Sequence, residues 1–296
     1  MKVIAVYNMK GGVGKTTISA HLAYWAVKRC LRTVVVAADP QGDIYRWLRA
    51  NQEEQAASEE EDADDAANEG SLTIDDDDEG DPDAVIAAVL SPFLETMFSP
   101  EELPNLEPSK IDVAIVDCPP ATRMPLRIEP DLWVVPLHGR FGFENTHAVL
   151  GDLTGGRARV LVVLNCMGRA GAAADRELRR CAKLLKGVIV AKSELMELTT
   201  IARAAEHTMP VWDLYRGRGT RGAQQMEAVC QEVFRTVGFL AKDLGPAATK
   251  ERARAANMPE PAPDPLPSTK AKGKKDPVSE DKPVKPTKPA RPTREG

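Results

Sequence analysis

Short apolar runs alternate with amphipathic stretches along most of this sequence. Several runs are continuous and rich in β-branched residues, as in Val34-Val35-Val36, which is typical of parallel strands buried on both faces of a sheet. Runs of this kind predict strands at residues 2–7, 32–38, 112–116, 132–135, 160–164 and 188–191.

Helical periodicity fills the intervals between these runs. After the first run, for example, Ile18, Leu22 and Trp25 share one face of a helix. The pattern predicts helices at residues 15–29, 43–50, 84–98, 172–185, 199–207 and 220–244. Because strands and helices alternate, we expect an α/β fold, with a mostly parallel, twisted sheet covered by helices on both faces.

Two segments depart from this alternation. Residues 52–83 are rich in Glu, Asp and Ala, and residues 245–296 are rich in Pro and Lys with few large apolar side chains. Neither composition can bury enough apolar surface to offset the entropy of ordering the chain. We therefore predict one domain over residues 1–244, with a disordered acidic insertion at 52–83 and a disordered tail over 245–296. A calcium-binding loop is the alternative for the insertion, but the glycine and glutamate spacing that it requires is absent.

Charge is distributed unevenly along the chain. The formal net charge is −5, yet residues 50–109 contain no Lys or Arg and hold 20 of the 44 acidic residues. The rest of the chain carries all 39 basic residues against 24 acidic ones, which favours an anionic partner. No apolar run is long enough to span a membrane and no signal peptide pattern is present, so we expect a cytoplasmic protein.

A glycine-rich loop follows the first predicted strand. The loop is Met9-Lys10-Gly11-Gly12-Val13-Gly14-Lys15-Thr16-Thr17. A glycine turn between a strand and a helix lets backbone N–H groups converge on phosphate oxygens, and the helix N-terminus adds a favourable dipole. We expect Lys15 to reach the β- and γ-phosphates, Thr16 to ligate Mg²⁺ and Thr17 to donate to the α-phosphate. The sequence therefore predicts ATP and Mg²⁺ as cofactors, against a turn of purely structural use.

Two aspartates follow other predicted strands. Asp117 ends the third strand and precedes Cys118-Pro119-Pro120, and a carboxylate there can hold Mg²⁺ through water. Asp39 follows the second strand and begins Asp39-Pro40-Gln41-Gly42, where it is placed to orient the attacking water. A turn-forming Asp-Pro of local use is the alternative for Asp39.

Together these three segments resemble the ParA/MinD group of deviant Walker P-loop ATPases, and the ParA branch most closely. The loop is nearly the family's own, with Lys10 at the position of its additional lysine, and the segments that begin at Asp39 and Asp117 match its second and third motifs. The resemblance covers about residues 1–240 and excludes the insertion and the tail.

The resemblance implies a reaction cycle. ATP binding would form a face-to-face homodimer in which Lys10 reaches the partner's phosphates, so that Lys10, Lys15 and Asp39 would be the catalytic residues. The dimer would bind double-stranded DNA without sequence preference, and a ParB-like protein or a cargo adaptor would stimulate ATP hydrolysis. Such a cycle partitions or positions DNA or another large cargo, and would place the protein at the nucleoid.

Two features depart from the family's pattern. The second motif usually carries two acids, and the first corresponds here to Ala37. Metal coordination by this segment is therefore weakened, while Asp39 remains the water-orienting group. No helix-turn-helix region precedes the loop, so we do not expect operator-specific DNA binding.

Five further residues are candidates for binding. Asn165 follows a predicted strand and either reads adenine, as in relatives, or simply begins a loop. Arg216, Arg218 and Arg221 alternate with glycines before the last predicted helix, and Arg203 lies on the helix before them. Accessible positive charge of this kind suits DNA phosphates, and a solvated loop is the alternative.

Two other functional classes share the loop. A MinD-like membrane-positioning ATPase needs a C-terminal amphipathic helix with a strong apolar face, whereas this tail is interrupted by Pro and has few large apolar residues, so we expect no membrane partner. An iron–sulfur reductase needs paired cysteines, and the five cysteines are not paired along the sequence. A biosynthetic ATP-dependent ligase stays open.

Overall fold

The apolar runs form one eight-stranded sheet in the computed structural model. The strands are β1 (Lys2–Val6), β2 (Thr33–Ala37), β3 (Ile86–Ser91), β4 (Leu94–Phe98), β5 (Val113–Asp117), β6 (Leu132–Leu137), β7 (Arg159–Leu164) and β8 (Ile189–Val190). Their order across the sheet is β3-β4-β2-β5-β1-β6-β7-β8, and every neighbouring pair is parallel except β3 with β4. The mostly parallel sheet expected from the sequence is confirmed.

The structure describes residues 1–50, 86–91, 93–99, 104–121, 128–139, 147, 150, 153–154, 156–165, 173–196, 199–214, 217 and 219–256. All of them belong to one compact unit, Met1–Pro261. The predicted acidic insertion lies outside the described residues, as do Arg216, Arg218 and the chain after residue 256.

Helices cover the sheet. They are α1 (Lys15–Val27), α2 (residues 43–50), α3 (Ala173–Ala182), α4 (Thr199–Glu206), α5 (Arg221–Val237) and α6 (Pro246–Ala255). Among the described residues, no helix is both long and apolar enough to cross a membrane.

Two large apolar clusters, one on each face of the sheet, make up most of the core. Successive residues of a strand point to opposite faces, so Val35 packs in the cluster with α1 and α5, whereas Val34 and Val36 pack in the cluster with α3. Strands β2, β5 and β6 are buried along their whole length, which explains their continuous apolar sequences.

The strand register brings three strand ends together. Asp117, the last residue of β5, is level with Val6 of β1 on one side and with Ala37 of β2 on the other. The connections that follow β1, β2 and β5 therefore leave the sheet at the same edge, where ligands bind in open α/β sheets.

The predicted helix at residues 84–98 is wrong. This stretch forms β3 and β4, an antiparallel pair at the edge of the sheet, and β4 continues the sheet by pairing parallel to β2. An apolar, Ala-rich run does not by itself distinguish helix from strand, and the pairing of β3 with β4 overrides the helical preference of its alanines.

The predicted tail also needs a correction, because residues 246–255 form α6. Pro246 occupies the start of the helix after the N-cap Gly245, which is a favourable position for proline. Ala253 is fully buried against Cys30 and Phe93. The predicted helix at residues 220–244 is correspondingly shorter, because Gly238, at φ 114°, ends α5 in a left-handed conformation.

Candidate nucleotide site

The glycine-rich loop joins the buried strand β1 to α1, as the sequence predicted. Gly11 and Gly12 are exposed and have open space around them, whereas Val13 is fully buried and anchors the loop. Gly14 is the N-cap of α1 at φ 87°, and a Cβ at this position would collide with the Asn165 side-chain amide. Glycine is therefore required at this position by both the backbone and the neighbouring side chain.

Two asparagines hold the loop in place. The Asn8 amide donates to the Pro136 carbonyl over 2.7 Å, and its side-chain oxygen accepts from the Lys10 N–H over 2.9 Å. The Asn165 amide, at the end of β7, donates to the Val13 carbonyl over 2.7 Å. The loop is thus fixed to the ends of β6 and β7 as well as to β1. Recognition of adenine by Asn165 stays a prediction, since the contact seen here is to the loop.

Lys15 is the first residue of α1, and only 6% of its surface is exposed. Its Nζ donates to the Lys10 carbonyl over 3.3 Å, which holds the ammonium group within the loop. Burial lowers the pKa of Lys15, and the opposing charges of Asp117 and Asp39 raise it. A phosphate anion would supply the charge partner that this buried ammonium lacks in the loop itself.

Asp117 lies beneath the start of α1 and is almost completely buried. The hydroxyl groups of Thr16 and Ser19 each donate to one of its carboxylate oxygens, both over 2.9 Å. Burial raises the pKa of Asp117 to about 6, while these two hydrogen bonds and the charge of Lys15 lower it. Hydroxyl and carboxylate oxygens are the ligands that Mg²⁺ prefers, so Thr16 and Asp117 fit a magnesium ion.

Ser19 was missed in the sequence analysis. It is fully buried and lies one turn after Lys15 on α1, so it reaches the same carboxylate as Thr16. A hydroxyl at this spacing on an otherwise apolar helix face is the sequence signal that could have identified it.

Asp39 is half-buried and forms the turn after β2. Its side chain accepts from the Gln41 N–H over 3.0 Å, and its carbonyl accepts from the Gly42 N–H over 2.8 Å. It also lies close enough to Lys15 and Asp117 to influence the pKa of both. The Asp-Pro turn is therefore present, and it places Asp39 beside the phosphate loop. Its role in orienting water stays a prediction.

Lys10 and Thr17 complete the loop. The Lys10 backbone is fixed on both sides, by Asn8 and by the Lys15 ammonium, and its side chain is partly exposed. Thr17 is also partly exposed, and its carbonyl oxygen lies 2.6 Å from Nδ1 of His21. Both side chains are therefore accessible at the entrance to the loop.

Two of the basic candidates, Arg203 and Arg221, are among the described residues. Arg221 is the exposed first residue of α5, and Arg203 is exposed on α4. Arg221 also lines a groove of about 450 Å³ with Arg179 and Lys192. Arg179 donates three hydrogen bonds to the Glu194 carboxylate, whereas within the described residues no ion pair involves Lys192, Arg203 or Arg221.

Comparison with known proteins gives the family. The model of the CobQ/CobB/MinD/ParA nucleotide binding domain matches residues 4–270. The chain belongs to this family. The resemblance inferred from the three motifs is confirmed.

Curated relatives match only part of the chain. Protein IncC of Escherichia coli is 49% identical over 43 residues, which are 14% of this chain and 12% of that protein. Maintenance of carboxysome distribution protein A of Halothiobacillus neapolitanus is 30% identical over 138 residues, which are 45% of this chain and 49% of that protein. The chain thus matches half or less of the length of these relatives.

Solved structures show the same fold over a larger share of the chain. A variant of McdA from Cyanothece in complex with ATP has a TM-score of 0.52 at 16% identity, and covers 81% of this chain and 97% of its own. The septum site-determining protein MinD of Pyrococcus horikoshii, in complex with Mg-ADP, has a TM-score of 0.54 at 16% identity, and covers 80% and 97%. The predicted P-loop fold is therefore confirmed.

Proposed function

We propose that this chain is an ATPase that forms a homodimer on binding ATP, and that the dimer binds DNA without sequence preference. A second protein, ParB-like or a cargo adaptor, stimulates hydrolysis and releases the dimer. The cycle partitions or positions DNA or another large cargo in the cytoplasm, at the nucleoid. Family membership and the distribution role in the name of the Halothiobacillus relative support this proposal.

The arrangement of Lys15, Thr16 and Asp117 around the phosphate loop carries the proposal. The loop offers backbone N–H groups and a helix N-terminus to an anion, and Lys15 supplies a buried positive charge beside them. When bound, Mg²⁺ would be held by Thr16 and, through water, by Asp117, and would offset the negative charge of the phosphates. Asp39 accepts a hydrogen bond from the water that attacks the γ-phosphate and so orients it.

Lys10 supports the homodimer. Its backbone is fixed by the loop, so its partly exposed side chain extends from a fixed position at the entrance to the site. A partner's loop that faces this entrance would bring phosphate oxygens to the ammonium group. ATP thereby becomes part of the dimer interface, which explains why dimerisation would depend on it.

The cations without acidic partners support DNA binding. Lys192, Arg203 and Arg221 are exposed, and within the described residues none of them forms an ion pair. Gly222 packs closely against Thr200, so the N-termini of α4 and α5 lie together. Exposed cations on adjacent elements bind phosphates without reading base edges, which is the behaviour expected of nonspecific DNA binding.

A salt titration of DNA binding tests the proposal. The wild-type protein is mixed with random-sequence duplex DNA in the presence of Mg-ATP, Mg-ADP or no nucleotide, and the turnover of ATP is measured in parallel. We expect ATP hydrolysis and ATP-dependent DNA binding, with an affinity that falls steeply as salt is added.

The variant Arg221→Glu should weaken binding on all sequences and reduce the salt slope by about 1. Arg157→Glu is the matched control, because Arg157 is exposed near the start of β7, at the sheet edge opposite the phosphate loop. Equal slopes for Arg221→Glu and wild type would remove Arg221 from the interface. A wild type that hydrolyses ATP without retaining DNA would contradict the DNA-partitioning function and favour the membrane or metabolic alternatives.

A further inference from the structure

A buried histidine connects the phosphate loop to a distant part of the chain. His21 lies on α1 one turn after Thr17, and it is fully buried. Its Nδ1 lies 2.6 Å from the Thr17 carbonyl oxygen, and the backbone N–H of Val211 donates to its Nε2 over 3.0 Å. A ring that accepts at Nε2 holds its proton on Nδ1, so His21 donates to Thr17.

Burial keeps this ring neutral. It lowers the pKa of His21 to about 4, so at pH 7 one nitrogen donates and the other accepts, as both hydrogen bonds require. A phenylalanine could fill the same space but could make neither hydrogen bond. Histidine is therefore needed at this position for the two hydrogen bonds as well as for filling the space.

Two tryptophans pack edge-on against the same ring. Their ring centres lie 6.0 Å from His21 for Trp47 and 5.3 Å for Trp212, at interplanar angles of 80° and 85°. Trp47 belongs to α2, which begins just after the Asp39 turn, and Trp212 follows Val211. His21 thus contacts the phosphate-loop helix, the helix after Asp39 and the segment that leads into α5.

The packing of this cluster is costly. Neither indole N–H, of Trp47 or of Trp212, has an acceptor among the described residues. A buried donor without a partner costs about 1–3 kcal/mol. A second packing arrangement that gave one of these indole N–H groups an acceptor would regain that free energy, so it would differ little in stability from the arrangement seen here. An element with two accessible arrangements is what allows one site to influence another.

Short contacts continue from Val211 to the N-terminus of α5. The Gly217 backbone lies so close to the Val211 carbonyl that a Cβ on Gly217 would collide with it, and the Gly217 N–H donates to Leu214 over 2.7 Å. The Gly217 carbonyl in turn accepts from the Thr220 N–H, and the Thr220 hydroxyl oxygen caps α5 at Ala223. A displacement of Val211 would therefore move the start of α5 and its Arg221.

We propose that His21 is a positioning residue that couples occupation of the phosphate loop to the placement of the N-terminus of α5. The proposal rests on the proposed function, in which ATP occupies the loop and Arg221 contributes to DNA binding. A ligand that shifts the first turn of α1 moves the Thr17 carbonyl, and His21 carries that movement to Val211 and hence to Arg221.

Amide hydrogen exchange of the full chain tests this coupling without DNA. Exchange is measured with no nucleotide and with a slowly hydrolysed ATP analogue and Mg²⁺, for wild type, His21→Phe, His21→Gln and the control His207→Gln. His207 is an exposed histidine near the same segment, so His207→Gln makes the same chemical substitution as His21→Gln at an exposed position. Nucleotide affinity is measured for each protein by titration with a fluorescent analogue.

In the wild type and in His207→Gln, the nucleotide should change exchange at residues 211–221. His21→Phe should bind nucleotide with an affinity within about 10-fold of wild type and lose most of this change. His21→Gln should restore part of it, because its side-chain oxygen can still accept from Val211. A purely structural role would lower the stability of His21→Phe but leave the nucleotide-induced change in place.

An unchanged response at 211–221 in His21→Phe would overturn the coupling, as would a wild type that binds nucleotide without responding there. If His21→Phe does not fold, His21→Leu replaces it, because leucine also makes neither hydrogen bond, and a full wild-type response at 211–221 in that variant would likewise overturn the coupling. Failure of the wild type to bind any nucleotide would overturn both proposals. A normal response at 211–221 without any DNA binding would support the coupling and overturn only the DNA-binding function.

Discussion

Acidification provides a quantitative test of the burial of His21. The folded chain holds the pKa of this ring at about 4, against an ordinary value of 6.5 in an unfolded chain. As the pH falls from 6.5 to 4, the unfolded state binds a proton that the folded state excludes, so stability is lost in that window. The difference between these two pKa values corresponds to about 3 kcal/mol. His21→Gln lacks this titration, so its stability relative to wild type should improve by about 3 kcal/mol between pH 7 and pH 4.

Asp117 should have the opposite effect in the absence of Mg²⁺. Its pKa is raised from 3.8 to about 6 in the folded chain, so the folded state keeps a proton that the unfolded state has released. Its contribution to stability is therefore greatest below pH 3.8 and is lost as the pH rises through 6, by about 3 kcal/mol. Between pH 4 and 6 the two slopes oppose each other. Wild type should show a flatter profile than either His21→Gln, which becomes less stable as the pH rises, or Asp117→Asn, which becomes more stable.

Urea unfolding followed by circular dichroism measures this difference. The three proteins are unfolded at pH 4, 5, 6 and 7 with a chelator present. The slope of the free energy of unfolding against urea concentration must be equal among them for the comparison to hold. All other titrating groups contribute a common background, so only differences between proteins are interpreted. A difference between wild type and His21→Gln that does not vary with pH would refute the claim that this ring is buried and neutral.

Four further variants test the site and the insertion. Lys15→Ala should weaken ATP binding about 100-fold in an equilibrium titration, which is the order of one lost charged hydrogen bond. Asp39→Ala should bind ATP normally and not hydrolyse it, as measured by phosphate release. Normal turnover in Asp39→Ala would exclude a role for Asp39 in orienting the attacking water. Lys10→Ala should lose ATP-dependent dimerisation, with light scattering as the measurement, and an unchanged dimer would make Lys10 an ordinary loop residue. Deletion of residues 52–83 should leave thermal stability and basal ATP turnover unchanged, and a large fall in melting temperature would show that the segment packs on the domain.

The candidate site was predictable where it depends on strand ends. Asp39 and Asp117 each follow a buried strand, and the glycine loop follows another, so a parallel sheet brings all three to one edge. Position along the sequence is sufficient for that inference, because parallel strands share their direction. The same rule explains why Asn165, at the end of β7, reaches the loop.

The errors arise where tertiary contacts decide between local alternatives. Residues 86–98 are compatible with a helix by composition, and they form strands because β4 pairs with β2 and β3 pairs in turn with β4. Residues 246–255 have good helix-forming composition after Gly245-Pro246, yet the Pro-rich sequence that follows suggested an extended chain. Burial of Ala253 against Phe93, over a hundred residues earlier in the chain, stabilises the helix there.

His21 shows the limit of inference from motifs most clearly. On α1 it occupies an apolar helix face, where a histidine is expected to be a core residue with satisfied hydrogen bonds, and the structure agrees with that description. Its partner Val211, however, lies 190 residues away and contributes only a backbone N–H, which any residue except proline carries. No pattern of side chains could have indicated this contact. Coupling that passes through backbone groups is therefore invisible to motif comparison.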